Sequence, residues 1–147
     1  MLEKHVKDLL KVLEDMLSIQ QELLETARSK TRAMVDKDVK RMEELISRES
    51  ELLDEVEKLE EKRKGIIEKI SAETNIPVEN LTVSKITRIV PVELAFSLKE
   101  KSSSILDVLD DLNRINMLNE KIAKDILEYI DEVAKVSSEV MALDIRV

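Results

Sequence analysis

The sequence holds no cysteine and no tryptophan, and only one glycine, two prolines, one histidine, one tyrosine and one phenylalanine. Without cysteine there is neither a disulfide framework nor a thiolate metal site or nucleophile, which suits a reducing cytoplasm. A single glycine cannot build a phosphate-cradling loop. A single histidine, His5, cannot supply the Glu-x-x-His motif that a di-metal carboxylate bundle needs on each of two helices. So close to a chain end it reads as a solvated surface residue. The scarcity of aromatic rings removes the stacking platform that single-stranded nucleic acid requires. Sheets favour aromatic and β-branched residues and need Gly, Asn or Asp at tight turns, so an all-β fold is excluded as well. No apolar run is long enough to span a bilayer, and no membrane insertion is expected. Residues 1–10 interleave Glu3, His5, Lys7 and Asp8 with apolar positions, which excludes a signal-peptide core.

What remains is a chain of 147 residues, 43% hydrophobic and 38% charged, the makeup of a protein built from long helices. The net charge is −8, with Lys and Arg alternating with Glu and Asp, so a phosphate backbone is repelled on balance and nucleic acid is not a partner. The many carboxylates read as solvated helix faces instead of a catalytic pair. No catalytic residue, cofactor or metal is expected, and the protein is not an enzyme. The length suits one helical domain over 1–147.

Leu2, Val6, Leu9, Leu10, Leu13, Met16, Leu17, Leu23, Leu24 and Ala27 recur at three- and four-residue steps and predict helix 1 over 1–34. Asp36 and Asp38 offer carboxylates to cap a second helix over 37–72, whose stripe runs from Met42 and Leu45 to Ile67 and Ile70. Gly65 interrupts that stripe, either to allow a bend or close helix approach or as a tolerated surface glycine. Pro77 and Pro91 bound a connector over 73–91, with Thr82 or Ser84 capping a short helix and apolar residues from Ile76 to Val90 folding back over one end. No Gly or Pro interrupts 92–141, so a long C-terminal helix of about 75 Å should overhang its partners. The expected fold is all-α: an elongated antiparallel helical bundle or coiled coil of three long helices plus a short connector helix.

Leu94, Leu98, Ser102, Ile105, Leu109, Leu112, Asn116, Asn119, Ala123, Ile126, Ile130, Val133, Ser137 and Val140 follow the near-strict 4-3 spacing of a coiled-coil seam. Asparagines within a seam need polar partners. Antiparallel pairing of helix 2 with the last helix sets Glu49 opposite Asn116, so a Glu49–Asn116/Asn119 hydrogen-bonded layer is expected to fix register, with Arg63 a further polar seam position. A second row, Val108, Ile115, Leu118, Ile122 and Tyr129, runs beside the seam. Two readings stay open: helices 1 and 2 fill both faces, or the overhang from about Ile122 leaves its stripe for a partner's amphipathic helix, with Tyr129 as an anchor.

Two stretches carry a resemblance. Asp38-Val39-Lys40-Arg41-Met42-Glu43-Glu44-Leu45, continuing through Glu49, Leu52, Leu53 and Leu59 to Arg63, has an acidic start followed by a Glu-x-x-Leu-Leu type pattern. Leu112-Asn113-Arg114-Ile115-Asn116-Met117-Leu118-Asn119 is an asparagine-bearing helical segment. Together they resemble the second and final helices of the FlgN-type flagellar export chaperones. The resemblance implies a cytoplasmic type III export chaperone for flagellum biogenesis. Such a protein binds the C-terminal helices of flagellar hook-associated (hook-filament junction) proteins, prevents their premature assembly and delivers them to the flagellar export apparatus. It points to Asn113, Asn116, Asn119, Ile122, Ile126, Ile130 and Val133 as client-binding residues, with Tyr129 added from the residue pattern. The rival reading is a structural helical adaptor that homodimerises through its C-terminal helix and has no export role.

Overall fold

In the computed structural model, residues 1–146 are described, and their side chains as far as residue 142. Among them there is no strand. The long helices are α1 (Leu2–Val35) and α2 (Val39–Thr74). A single 3-10 turn (Val78–Asn80) and α3 (Val83–Thr87) make up the connector, and α4 (Val92–Arg146) closes the chain. Ser102 to Ser104 cause no break in α4.

The turns are set by local chemistry. Asp38 caps α2, its side chain accepting from the Arg41 N–H at 3.0 Å. Asp36 instead ends α1 as its C-cap, and Lys37 reverses the chain in the left-handed region at φ 58°, so only one of the two carboxylates caps. Asn75, at φ 57°, ends α2 in the same region, which asparagine tolerates better than most residues. Thr82, not Ser84, caps α3 through the Lys85 N–H.

α1 lies between the other two long helices. It packs against α2 and against α4, whereas among the described residues α2 and α4 bring no Cα atoms within 8 Å of one another. This overturns the expected pairing of α2 with the last helix, and the reason lies in how much each helix can bury. Val6, Leu9, Val12, Leu13, Met16, Leu23, Leu24 and Ala27 give α1 two buried flanks, while α2 buries only Leu45, Leu52 and Ile70 fully. The helix with the widest apolar surface takes the centre.

α4 runs parallel to α1. Val6, Leu13, Leu98 and Ile105 share one core, Leu24 lies beside Ile115 and Leu118, and Asn119 reaches Ala27. α2 returns antiparallel, since His5 faces Glu73 and Glu22 pairs with Arg48. His5 is therefore not a solvated end residue: its side chain is 14% exposed, with Nε2 3.8 Å from the Glu73 carboxylate.

The connector closes one end of the core. There Ile70, Ile86, Leu98 and Val6 are sealed from solvent, with Leu81, Val90, Ile66 and Leu94 packed around them. Ile86, Leu81 and Val90 cover this end as expected, but Val78, Val83 and Ile89 remain exposed. A Cβ on Gly65 would meet nothing within 4 Å, and α2 continues through it, so this glycine serves no close helix approach.

Candidate functional site

Because the backbones of α2 and α4 stay apart on either side of α1, they leave a groove of about 720 Å³ between them, away from the sealed end. Its floor is α1: Gln20, Leu23, Lys30 and Met34. The α2 wall carries Met42, Ile46, Glu49, Leu53 and Val56, and the α4 wall Leu109, Leu112, Asn113, Asn116, Asn119, Glu120 and Ala123. From Gln20 to Met34 the floor spans about 20 Å at the helical rise, the length of four turns. Ile46, Leu53 and Leu109 stand about half exposed here, large apolar side chains turned toward an open cleft.

Two polar interactions tie the groove walls to α1, and neither is the expected Glu49–asparagine layer. Lys30 on α1 donates to both carboxylate oxygens of Glu49 on α2, at 3.0 and 3.3 Å. Asn119 is 6% exposed, and its side-chain N–H donates to the Ala27 carbonyl at 3.0 Å while its oxygen accepts from the Thr31 hydroxyl. Both contacts run to α1, because α1 is the neighbour within reach. Each fixes register, Asn119 for α4 and Glu49 for α2. Arg63 finds its partner on its own helix: Nε and an amino group donate to the Glu60 carboxylate at 2.9 and 2.7 Å. These bonds hold Glu60 below the usual carboxylate range and raise Arg63.

The three asparagines therefore occupy different places. Asn113 and Asn116 are exposed on the α4 wall. Asn119 is engaged within the chain. Beyond the groove the wall continues without support. The separation between Ala27 and Asn119 sets Met34 level with Ile126, and α1 ends one residue later. α4 then extends alone for about 20 residues, or 30 Å. Ile122 is half buried and Ala123 still lines the groove, so the overhang begins nearer Ile126 than Ile122.

At seven-residue steps Leu98, Ile105, Leu112 and Asn119 lead to Ile126, Val133 and Val140, and Leu109, Asn116 and Ala123 lead to Ile130. Ile126, Ile130, Val133 and Val140 are 38–53% exposed. Groove and overhang thus form one apolar track. Tyr129, 64% exposed, belongs with Ile115, Ile122 and Val136 on the other flank of α4, away from the groove wall.

The floor and the α2 wall were not foreseen as a surface. Ile46 and Leu53 gave the available signal: they double the stripe of α2 beside Leu45 and Leu52, one apolar row more than a helix with a single neighbour needs.

Among the described residues no group of three or more His, Asp or Glu side chains is arranged to hold a metal, and no helix is long and apolar enough to cross a membrane. The cleft is open, elongated and lined mostly by apolar side chains. The FlgN protein family model matches residues 1–140. No curated protein and no solved structure matches the chain.

Proposed function

The chain belongs to the FlgN protein family, a family of flagellar export chaperones, and on that basis we propose that it is a cytoplasmic type III export chaperone for hook-associated proteins. Its client is the C-terminal helix of a hook-filament junction subunit. That helix carries an apolar face for assembly, and an uncovered face of this kind aggregates or assembles early. Docked on the chaperone, the face is withdrawn from water until the complex reaches the export apparatus. No catalytic step is involved.

The observation that supports this reading is the open apolar track, a four-turn groove continued by the exposed stripe of α4. Asn113 and Asn116 at the groove, with Ile126, Ile130 and Val133 beyond it, are the proposed contact residues of the track on α4, and Ile122 is a contact on the outer flank. Asn119 acts indirectly by setting where α4 stands on α1, and Tyr129 serves as a contact on the outer flank. A client helix laid along the track satisfies its backbone internally and needs only side-chain complementarity.

The test pairs a pull-down of purified hook-associated subunits with a mass measurement of the isolated chain. Binding of a subunit by a monomer is expected. A stable dimer that ignores every subunit would refute the proposal and favour the adaptor reading. In the variant Ile126→Asp with Ile130→Asp, affinity should fall roughly 100-fold while helicity persists, two apolar anchors of about 1.5 kcal/mol each being lost. Loss of the fold would instead identify these residues as core.

A further inference from the structure

Gln20 is the polar residue at the floor of the groove that has no internal partner. It is 6% exposed, and its Oε1 is shut off from solvent without any hydrogen bond. Among the described residues none of the groups lining the cleft hydrogen-bonds this oxygen. Leu23, Leu53, Val56 and Leu112 line the same cleft, and the charged floor residue, Lys30, is already bound to Glu49. A buried acceptor left unpaired costs about 1–3 kcal/mol, so an aliphatic residue at this position would make the free chain more stable. The sequence makes the cost visible: Val6, Leu13, Gln20, Ala27 and Met34 follow one another at seven-residue steps, and Gln20 is the polar one.

Resting on the chaperone reading, we propose that Gln20 is a specificity residue that reads one polar side chain in the apolar face of the client helix. A turn about its three side-chain bonds brings the carboxamide into the cleft. There its oxygen accepts from an N–H of the occupant, and its own N–H donates in return. Asparagine or glutamine fits best, because a second carboxamide satisfies both halves of the pair. The client helix therefore carries Leu- and Ile-like residues at its other inward positions and an amide opposite Gln20. A helix with an uninterrupted apolar face buries the carboxamide still deeper without relief and is discriminated against. One amide pair in an apolar lane also fixes how far the client slides along the groove.

The experiment compares the whole chain with its Gln20→Met variant, which keeps side-chain length and removes the amide. Purified hook-filament junction subunits serve as probes, and thermal unfolding of each free chain is measured alongside. The melting temperature should hold or rise while affinity for the subunit drops about tenfold, equivalent to about 1.4 kcal/mol. A floor residue with only a packing role predicts unchanged or tighter binding, and that result overturns the inference while leaving the chaperone function standing. If the unsubstituted chain binds none of the subunits, the function itself fails and the inference with it. Should Gln20→Met not fold, nuclear magnetic resonance of the unsubstituted chain decides. The Gln20 side-chain amide signal should shift and gain protection from solvent exchange when subunit is added, and a signal that does not move overturns the inference.

Discussion

Asn119 and Asn116 stand one helical turn apart on α4, both in sequence positions suited to a seam, yet only Asn119 is enclosed. Replacing Asn119 by alanine removes a bond to the Ala27 carbonyl and another from the Thr31 hydroxyl. At about 1 kcal/mol for each, the expected loss is about 2 kcal/mol. The Ala27 carbonyl keeps a second contact, to Thr31 at 3.2 Å, so it is not orphaned and the cost should not climb much further. For a chain of this size about 2 kcal/mol lowers the melting temperature by about 4–8 °C. Asn116→Ala alters an exposed side chain with no internal bond among the described residues, and should stay within about 0.5 kcal/mol of the unsubstituted chain. Urea unfolding followed by far-ultraviolet circular dichroism reads both, with the slope against denaturant required to stay constant. Equal losses for the two variants would refute the placement of α4 on α1, and with it the position of the groove wall.

Gly65→Ala should raise stability by about 0.5–1 kcal/mol, because the added methyl enters open space within a continuous helix; a loss of stability in the same urea titration would mean that the position is crowded. Glu60 is held below its ordinary value, chiefly by the hydrogen bonds from Arg63, so its contribution is present above about pH 4.5 and fades as the pH falls through the lowered value. The pair is about one-third exposed, which limits it to about 0.5 kcal/mol. Glu60→Gln should therefore cost that much at pH 7 and progressively less as the pH falls through the lowered value, and a penalty that does not shrink in acid would assign Glu60 a role other than its ion pair.

Much of this protein follows from residue types at their spacings. The near absence of glycine, proline and aromatics leaves helices as the way to bury the aliphatic residues. The charged residues between them ensure that each helix is amphipathic. Thr82 and Asp38 cap helices because a short side chain with an oxygen can reach the free N–H groups of the first turn, a purely local matter. Gln20 went unmarked among the aliphatic positions of helix 1, since its burial without a partner depends on which side chains close over it.

By itself the sequence determined the all-α class, the amphipathic character of each helix and the family, because composition, periodicity and short motifs are properties of neighbouring residues. The tertiary structure alone decided that α1 occupies the middle, that Glu49 and Asn119 each turn to α1, and that Ile46, Leu53 and Asn116 face one cleft. The physical reason is competition for burial. A helix stripe records how much apolar surface must be covered but not which neighbour covers it, and here α1 covers both flanks and leaves α2 and α4 with an open groove between them.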